Sequence, residues 1–304
     1  MPQPMTGSGS SADGASYGRT RLQNLTWSRI ITYLFLLIWL VIALFPIYWM
    51  VTLSFKNLRL ITTGPYFIPW VDFDPVTLGW DDILESGQRD RVMTAMRNSL
   101  ICAVGSGLLA LVLGSMAGYG LARFNYKFGP WRNRDISFFF LSQLILPPAA
   151  VILPLYVLFV ESGLYDTVWG LMLLYTVVGL PIVVWIMRDQ FASLPVELEQ
   201  AALVDGNSAL GAFLRIAVPV AAPGMVAAFI LVVIFSWNEY LFSAVLTSKS
   251  AYTLPLLIAT QVSSQGVKFW TMAAIATAAV TPLLIIGIFL ERYIVRGLTA
   301  GAVK

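Results

Sequence analysis

Long apolar segments alternate with shorter polar ones along the chain, and six apolar segments have the length of a membrane-crossing helix. A bilayer core about 30 Å thick needs roughly 20 apolar residues in a helix. Lipid cannot hydrogen-bond to backbone N–H and C=O groups, so a chain crosses the membrane only as a helix or as part of a closed barrel. These runs are too long for barrel strands. The pattern predicts an all-α membrane protein with six transmembrane helices: Ile30–Leu53, Ser99–Leu121, Ile136–Val160, Val168–Met187, Val218–Leu246 and Met272–Leu290.

The composition supports this fold class and narrows the chemistry. Of the 304 residues, 58% are hydrophobic and only 12% are charged, whereas soluble proteins carry about 25% charged residues. The net charge of +3 is too small to indicate a nucleic-acid partner. The chain has no His, which removes the commonest general base and metal ligand. We therefore expect no catalytic residue and no metal site, and we assign the single Cys102 to packing.

The distribution of Lys and Arg orients the predicted helices, because cytoplasmic loops carry an excess of both. Twelve of them lie on the side of the N-terminus, the second and fourth loops and the C-terminus, and seven lie on the other side. The short second loop is the most one-sided, with the single acid Asp135 against Arg123, Lys127, Arg132 and Arg134. We expect both termini in the cytoplasm, a disordered tail rich in Gly and Ser over residues 1–29, and a six-span domain over residues 30–304.

The first extracytoplasmic loop, residues 54–98, is large and rich in acids, and it contains two Trp residues. The spacing of its Pro and Gly residues predicts an irregular, partly helical cap. Two interpretations stay open for this loop: a solvated connection, or a landing surface for an extracytoplasmic partner.

The polar segment 188–217, between the fourth and fifth spans, has the pattern of a helix, a turn and a second helix. We expect Ser193 to cap the first helix, with Pro195 in its first turn, where the missing N–H costs little. Gly206 ends this helix because glycine adopts the positive φ of a helix end. The second helix then continues toward Pro219. The pattern alone is compatible with an ordinary interfacial helix or with a docking site for another protein.

This segment closely resembles the cytoplasmic coupling loop, or "EAA" loop, of ABC-importer permeases. The matching positions are Gln200-Ala201-Ala202, Gly206, Phe213, Ile216 and Val218-Pro219. Two positions depart from the family pattern, since Gln200 replaces the usual Glu and Asn207 replaces a small Ala. Other stretches are similar to permeases of the carbohydrate-uptake branch, and most of all to the maltose-type second permease subunit: Asn98-Ser99, Ser236–Leu241 and Glu291–Val303.

The resemblance implies a type I importer permease, which is a transport subunit without enzymatic activity or a cofactor of its own. It implies a second permease subunit, an extracytoplasmic solute-binding protein that delivers sugar, and two cytoplasmic ATPase subunits that hold ATP and Mg. The implied location is the cytoplasmic membrane of a bacterium or archaeon, in contact with lipid and not with nucleic acid. The residues that the resemblance assigns to ATPase coupling are Glu197, Glu199, Gln200, Ala201, Ala202, Asp205, Gly206, Phe213 and Pro219.

Polar residues inside the spans are candidates for a translocation path. Glu239 is the only acid well inside a predicted span, where a charge costs about 2.5–3.5 kcal/mol. It faces a cavity or a partner, or else it lies near the outer headgroups. Asn238 and Trp237 line a sugar path, unless Trp237 belongs to the interfacial aromatic belt. For Gln143, an interhelical hydrogen bond is the alternative to the path.

The second predicted span contains the small-xxx-small pattern Gly114-Ser-Met-Ala-Gly118. Small residues at this spacing allow two helices to approach closely. The partner is either another helix of this chain or a second copy of the span in a dimer.

Three other functions compete with a sugar importer. An ABC-importer permease for a non-sugar solute, such as a polyamine or phosphate, has a similar coupling loop. A stand-alone channel or secondary transporter needs charged relay residues in several spans, and only Glu239 offers one. A membrane-embedded enzyme is disfavoured because the chain has neither His nor clustered carboxylates inside the spans.

Overall fold

The computed structural model describes residues 13–263 and 266–299. Side-chain environments are described only for residues between 27 and 288. Its helices, in chain order, are α1 (Asp13–Leu53), α2 (Leu58–Thr63), α3 (Leu78–Leu84), α4 (Ser86–Arg123), α5 (Asn133–Ser142), α6 (Pro148–Glu161), α7 (Val168–Ser193), α8 (Val196–Val204), α9 (Ala209–Ala212), α10 (Val218–Trp237), α11 (Leu241–Leu246), α12 (Leu254–Ala259) and α13 (Phe269–Thr299). A 3-10 turn follows α5 (Gln143–Ile145), and a π-helical turn joins α9 to α10 (Phe213–Ala217). Two antiparallel hairpins pair β1 (Lys127–Phe128) with β2 (Trp131–Arg132) and β3 (Val262–Ser263) with β4 (Gly266–Val267).

Within the described ranges, five helical stretches are long and apolar enough to cross a bilayer, and a bent pair provides a sixth crossing if it counts as one span. The predicted all-α character is confirmed, and the first, second, fourth and sixth predicted spans lie inside α1, α4, α7 and α13. The five stretches are Trp27–Leu53, Gly87–Arg123, Val168–Ser193, Ala209–Trp237 and Phe269–Ile288.

The third predicted span, Ile136–Val160, is wrong as one continuous helix. The chain bends by 92° between the α5 segment and α6. Leu146 and Pro147 are extended at the bend, with ψ of 119° and 126°. Each of them precedes a proline, and a residue before proline is pushed out of the α-helical region. The tandem Pro147-Pro148 therefore breaks the helix instead of kinking it.

The fifth predicted span, Val218–Leu246, is too long. α10 ends at Trp237, and α11 begins after a break of three residues that contains Glu239. The Glu239 carboxylate accepts the backbone N–H groups of Phe242 at 2.8 Å and Ser243 at 3.2 Å. It therefore satisfies the first N–H groups of α11, as a helix-capping side chain does.

Two predicted boundaries also move. α1 begins at Asp13, so residues 13–29, predicted as part of a disordered tail, are helical, while residues 1–12 lie outside the described part. Extending an existing helix costs much less than starting one, which favours continuation of α1 beyond the membrane segment. The predicted extracytoplasmic loop 54–98 contains α2 and α3, and from Ser86 onward it belongs to α4.

α4, α7 and α10 form the packed centre of the molecule, and α4 and α7 approach closely through glycine. A Cβ built on Gly114 would lie 2.6 Å from Cγ1 of Val183, and one on Gly118 would lie 2.8 Å from the backbone N of Arg188. Neither distance leaves room for a side chain. The small-xxx-small pattern therefore serves helix packing within the chain, as one of its two interpretations predicts.

At the end of the bundle where α7 begins, the carboxylate of Asp166 holds the loop between α11 and α12. Asp166 accepts the backbone N–H groups of residues 248–251 at 2.9–3.1 Å. Partial burial alone raises the pKa of Asp166, but these four N–H donors outweigh it and hold the pKa below its ordinary value. The buried Asn98 holds the next stretch of the same loop, since its amide donates to the carbonyls of Ser250 (2.8 Å) and Tyr252 (3.0 Å).

We predict that Gly118→Leu destabilises the bundle by about 1–3 kcal/mol or more, because the new side chain overlaps the backbone of α7. The thermal unfolding midpoint of the purified chain in mild detergent measures this effect. Gly287→Leu is the control, because a Cβ at Gly287 meets no atom within 4 Å. Equal midpoints for the two variants would contradict the close approach of α4 and α7.

Candidate functional site

The segment between α7 and α10 is the helix–turn–helix that the sequence predicts, with one shifted boundary. α7 continues to Ser193, whose hydroxyl donates to the Gln190 carbonyl at 2.7 Å, so Ser193 does not cap the next helix. Leu194 is extended, as expected of a residue before proline. Pro195 then stands at the cap position of α8. Since proline has no N–H to leave unpaired, it is tolerated at this helix start.

The turn after α8 is formed by Gly206 and Asn207. Gly206 has a φ of +88°, which is the left-handed conformation predicted for the end of this helix. Both the backbone N–H and the side-chain amide of Asn207 donate to the Ala202 carbonyl, at 3.0 and 3.1 Å. The Oδ1 of Asn207 accepts from Arg215 at 3.3 Å. Asn207, which departs from the family pattern, thus closes the turn with its own side chain.

A buried ion pair attaches α8 to the last turn of α4. Oε1 of Glu199 accepts from Nε and Nη2 of Arg123 at 2.9 and 2.7 Å, and Oε2 accepts from the Tyr119 hydroxyl at 2.6 Å. Nη2 of Arg123 also donates to the Leu194 carbonyl at 3.1 Å, just before α8. Glu199 is only 6% exposed. Hydrogen bonds that involve charged groups are among the strongest in proteins, so this arrangement fixes α8 to the bundle.

An aromatic cluster joins α4, α7 and the π-helical turn that follows α9. The ring of Phe213 lies 4.6 Å from that of Tyr119 and 5.9 Å from that of Phe191, measured between centroids. Ala202 of α8 and Ala212 of α9 are buried as well. Because Tyr119 belongs both to this cluster and to the Glu199 contact, α4 holds the helix–turn–helix through packing against Phe213 and hydrogen bonding to Glu199.

The nine residues predicted for coupling divide between two faces. Glu199, Ala202 and Phe213 point inward and are buried, whereas the other six are exposed: Glu197, Gln200, Ala201, Asp205, Gly206 and Pro219. Apolar side chains extend the exposed face, including Leu198, Leu203 and Val204, which is 87% exposed. The outward face mixes apolar, amide and acidic groups, so its composition suits contact with another protein.

Sequence reasoning missed Arg123 and Tyr119 as members of this site. Arg123 entered only as one of the charges that orient the helices, and Tyr119 gave no signal. They lie 76 and 80 positions from Glu199 along the chain. No local pattern reports contacts over such a separation, and only the packing of α4 against α7 brings the two ends together.

A second feature lies between α6, α7 and α10. It is an elongated cleft of about 420 Å³ with a mainly apolar lining: Leu144, Pro148, Tyr175, Val178, Gly179, Ile182, Val232, Phe235, Ser236, Glu239 and Phe242. The Tyr175 hydroxyl donates to Oε2 of Glu239 at 2.8 Å. Glu239 therefore faces a cavity, as one interpretation of the sequence predicts, and its carboxyl group accepts three hydrogen bonds.

The other three candidates for a translocation path do not line this cleft. Trp237 is 4% exposed and packs in the hydrophobic core with Leu254 and Ile275. Asn238 is exposed, and its amide donates to the Ile234 carbonyl at 2.8 Å. Gln143 is exposed in the 3-10 turn after α5, where its amide reaches the carbonyl of Phe139 on its own helix at 3.4 Å. The structure instead adds Tyr175, for which the sequence carries no signal.

Among the residues that the structure describes, no three His, Cys, Asp or Glu side chains come together as a metal-binding group.

Comparisons with known proteins agree with this architecture. Residues 93–300 match the family of inner membrane components of binding-protein-dependent transport systems. The trehalose transport system permease protein SugB of Mycobacterium tuberculosis is 34% identical, over 86% of this chain and 93% of its own length. The arabinooligosaccharides transport system permease protein AraQ of Halalkalibacterium halodurans is 33% identical, over 92% of this chain and 97% of its own length.

A solved structure shows the same fold. One chain of a bacterial ABC transporter that imports the acidic polysaccharide alginate matches with a TM-score of 0.68 and 19% sequence identity. The match covers 94% of the present chain and 99% of that chain. The helix arrangement is therefore shared along nearly the whole length of both.

We predict that Glu199→Gln loosens α8, because the variant keeps the shape of the side chain and removes the charge that pairs with Arg123. Breaking a buried ion pair leaves the other charge uncompensated. The side chains of Arg123 and Glu199 are only 13% and 8% exposed, so we expect the attachment of α8 to weaken by about 2–3 kcal/mol. Hydrogen–deuterium exchange over residues 196–204 measures this effect as lost protection.

Glu197→Gln is the matched control, since Glu197 makes the same change of charge on the exposed face of the same helix. Protection over residues 196–204 is expected to stay unchanged in this variant. Full protection in both variants would show that the Glu199–Arg123 pair does not hold α8.

Proposed function

The chain belongs to the family of inner membrane components of binding-protein-dependent transport systems, and we propose that it is the permease subunit of an ATP-driven sugar importer. The helix–turn–helix around α8 carries the proposal, because it presents an exposed face while being fixed to the bundle by Glu199, Arg123 and Tyr119. The sugars in the names of the two permease relatives support the substrate class.

The geometry suggests how α8 transmits motion. A partner that moves α8 also moves α4, because the Glu199–Arg123 pair joins the two helices. It moves α10 as well, because the π-helical turn from Phe213 runs directly into α10. α4 and α10 both pack on α7. A displacement at α8 is therefore passed on as a rigid-body movement of helices that border the cleft.

In this proposal the cleft borders the sugar path. Glu239 and Tyr175 supply its polar contacts, and Ser236 adds a hydroxyl that is bonded to Ser106 at 2.9 Å. The break between α10 and α11 lies beside the cleft, so a change in the helix angle there would change the width of the cleft. Asn238, Trp237 and Gln143 lie around the two helix breaks and not in the cleft lining.

The proposed assembly contains a second permease subunit, two cytoplasmic ATPase subunits and an extracytoplasmic solute-binding protein. ATP and Mg bind to the ATPase subunits, so this chain carries no catalytic residue and no cofactor. We count α5 and α6 as one bent span, which gives six spans with both termini in the cytoplasm of a bacterium or archaeon. The excess of Lys and Arg on the side of α8 supports this orientation.

Purification of the tagged chain from its host in mild detergent, followed by mass spectrometry, tests the proposal. We expect a second multi-span permease and an ATPase to co-purify, with ATP hydrolysis that increases when sugar-loaded binding protein is added. Recovery of this chain alone, also after crosslinking, would contradict the proposal and favour a channel or a secondary transporter. Stimulation by a non-sugar solute alone would reject the substrate class and keep the importer.

We predict that Gly206→Pro uncouples ATP hydrolysis from uptake and leaves membrane insertion intact. Proline fixes φ near −65°, whereas Gly206 needs +88° to present the end of α8. Uptake in proteoliposomes is expected to fall by about tenfold or more, because a strained turn displaces the docking face.

Gly129→Pro is the matched control for this experiment. Gly129 has a φ of +59° in the β1–β2 turn, and a Cβ built on it would meet no atom within 4 Å, so the substitution imposes similar backbone strain away from α8. Normal uptake by the Gly206 variant, or an equal loss in both variants, would contradict a coupling role for the α8 turn.

A further inference from the structure

A cationic groove lies near the end of α7 that leads to α8, outside the surfaces described so far. It has a volume of about 690 Å³ and lies between the start of α5 and the last third of α7. We call it the arginine groove, and its lining residues are Arg132, Arg134, Asp135, Ser137, Phe138, Trp185 and Arg188.

Three arginines and one acid, Asp135, line the arginine groove. The Asp135 carboxylate already accepts a hydrogen bond from the backbone. Oδ2 of Asp135 accepts the backbone N–H of Arg132 at 2.9 Å. Arg188 bonds to the neighbouring Asp189 at 2.8 Å and is held over the ring of Trp185, 4.7 Å from its centroid. In the described part of the chain, Arg132 and Arg134 form no ion pair. Among the described residues, three arginines stand against the carboxylates of Asp135 and Asp189, so the groove keeps an excess of one positive charge.

The arginine groove lies where one membrane surface meets the protein. Arg188 follows Val168, the first residue of α7, by 20 positions, which corresponds to about 30 Å along a helix. This length equals the thickness of a bilayer core. If α7 enters the membrane near Val168, Arg188 reaches the opposite headgroup layer. In the proposed orientation this layer belongs to the cytoplasmic leaflet, which carries the negative surface potential.

Aromatic side chains lie next to the charges. Trp185 is one helical turn from Arg188 on α7, and Phe138 of α5 is 63% exposed at the edge of the groove. Trp favours the level of the headgroups, where its ring meets hydrocarbon and its N–H meets polar groups, and Phe138 adds an exposed apolar ring. The groove thus combines cations for a phosphate with apolar rings for the first part of an acyl chain.

We propose that the arginine groove binds the headgroup of an anionic phospholipid of the cytoplasmic leaflet. The planar guanidinium forks of Arg132 and Arg134 match a phosphodiester, since arginine binds phosphate oxygens in pairs. Arg188, fixed by Asp189 and Trp185, forms the inner wall of the site. The inference rests on the orientation given under the proposed function. A bound lipid would brace α5 against α7, next to the bend that follows α5.

The test uses the full-length chain in mild detergent with its co-purifying subunits. Native mass spectrometry measures binding of phosphatidylglycerol and, separately, of zwitterionic phosphatidylcholine. We expect clear preference for phosphatidylglycerol, and a loss of about tenfold in its affinity in the double variant Arg132→Gln/Arg134→Gln. The control variant Arg59→Gln/Arg89→Gln removes the same charge from two exposed arginines elsewhere and is expected to keep the preference.

Four results would overturn the proposal. The first is an equal loss of phosphatidylglycerol binding in both double variants, and the second is no preference of the native chain for phosphatidylglycerol over phosphatidylcholine. The third is competition by inorganic phosphate that is as strong as competition by the lipid. The fourth is loss of the ATPase from the Arg132→Gln/Arg134→Gln variant while lipid binding persists. The last two would assign the groove to a free anion or to a protein partner. Normal sugar-stimulated ATP hydrolysis without a lipid preference rejects only the lipid site. A lipid preference in a chain that brings no ATPase rejects only the importer.

Discussion

The close approach of α4 and α7 is the constraint on which the rest of the structure depends. Gly114 and Gly118 leave no room for side chains, so the backbone of α4 lies directly on Val183 and Arg188 of α7. This contact positions the end of α4, with Tyr119 and Arg123, over the exit of α7 into α8. In a membrane, where apolar surface alone gives helices little reason to associate, such backbone proximity is a main source of specific packing. The seat of α8 follows from it.

Polar side chains stabilise the backbone at three irregular points of the fold. Glu239 starts α11, Asp166 collects four N–H groups of the loop before α12, and Asn207 closes the turn after α8. Each lies where a helix stops and backbone groups lose their partners. Backbone groups without water must be satisfied by protein, so these side chains permit breaks that would otherwise be too costly. The break at Glu239 borders the cleft and the turn at Asn207 ends the exposed face of α8, where movement is required for transport.

The basic residues at the end of the bundle near α8 serve different purposes despite their common charge. Arg123 forms an ion pair with Glu199 and thereby fixes α8. Arg132 and Arg134 remain without an ion pair in the part of the chain that the structure describes. A count of charges, which orients the helices, treats them as equal. Their surroundings separate a structural cation from cations open to a ligand, because burial makes pairing obligatory and exposure does not.

The sequence by itself determined the helical membrane class, the approximate position of most spans and the end of α8 at Gly206. These features depend on the length of apolar runs and on the φ preference of single residues, which act over a few positions. Tertiary structure alone decided that Glu199 turns inward to Arg123, that Tyr175 meets Glu239 and that Trp237 belongs to the core. It also decided that the predicted span Ile136–Val160 bends by 92° after α5. The side-chain partners of Glu199 and Glu239 lie 64 to 80 positions away. Only the packing of α4, α7 and α10 brings them within hydrogen-bonding distance.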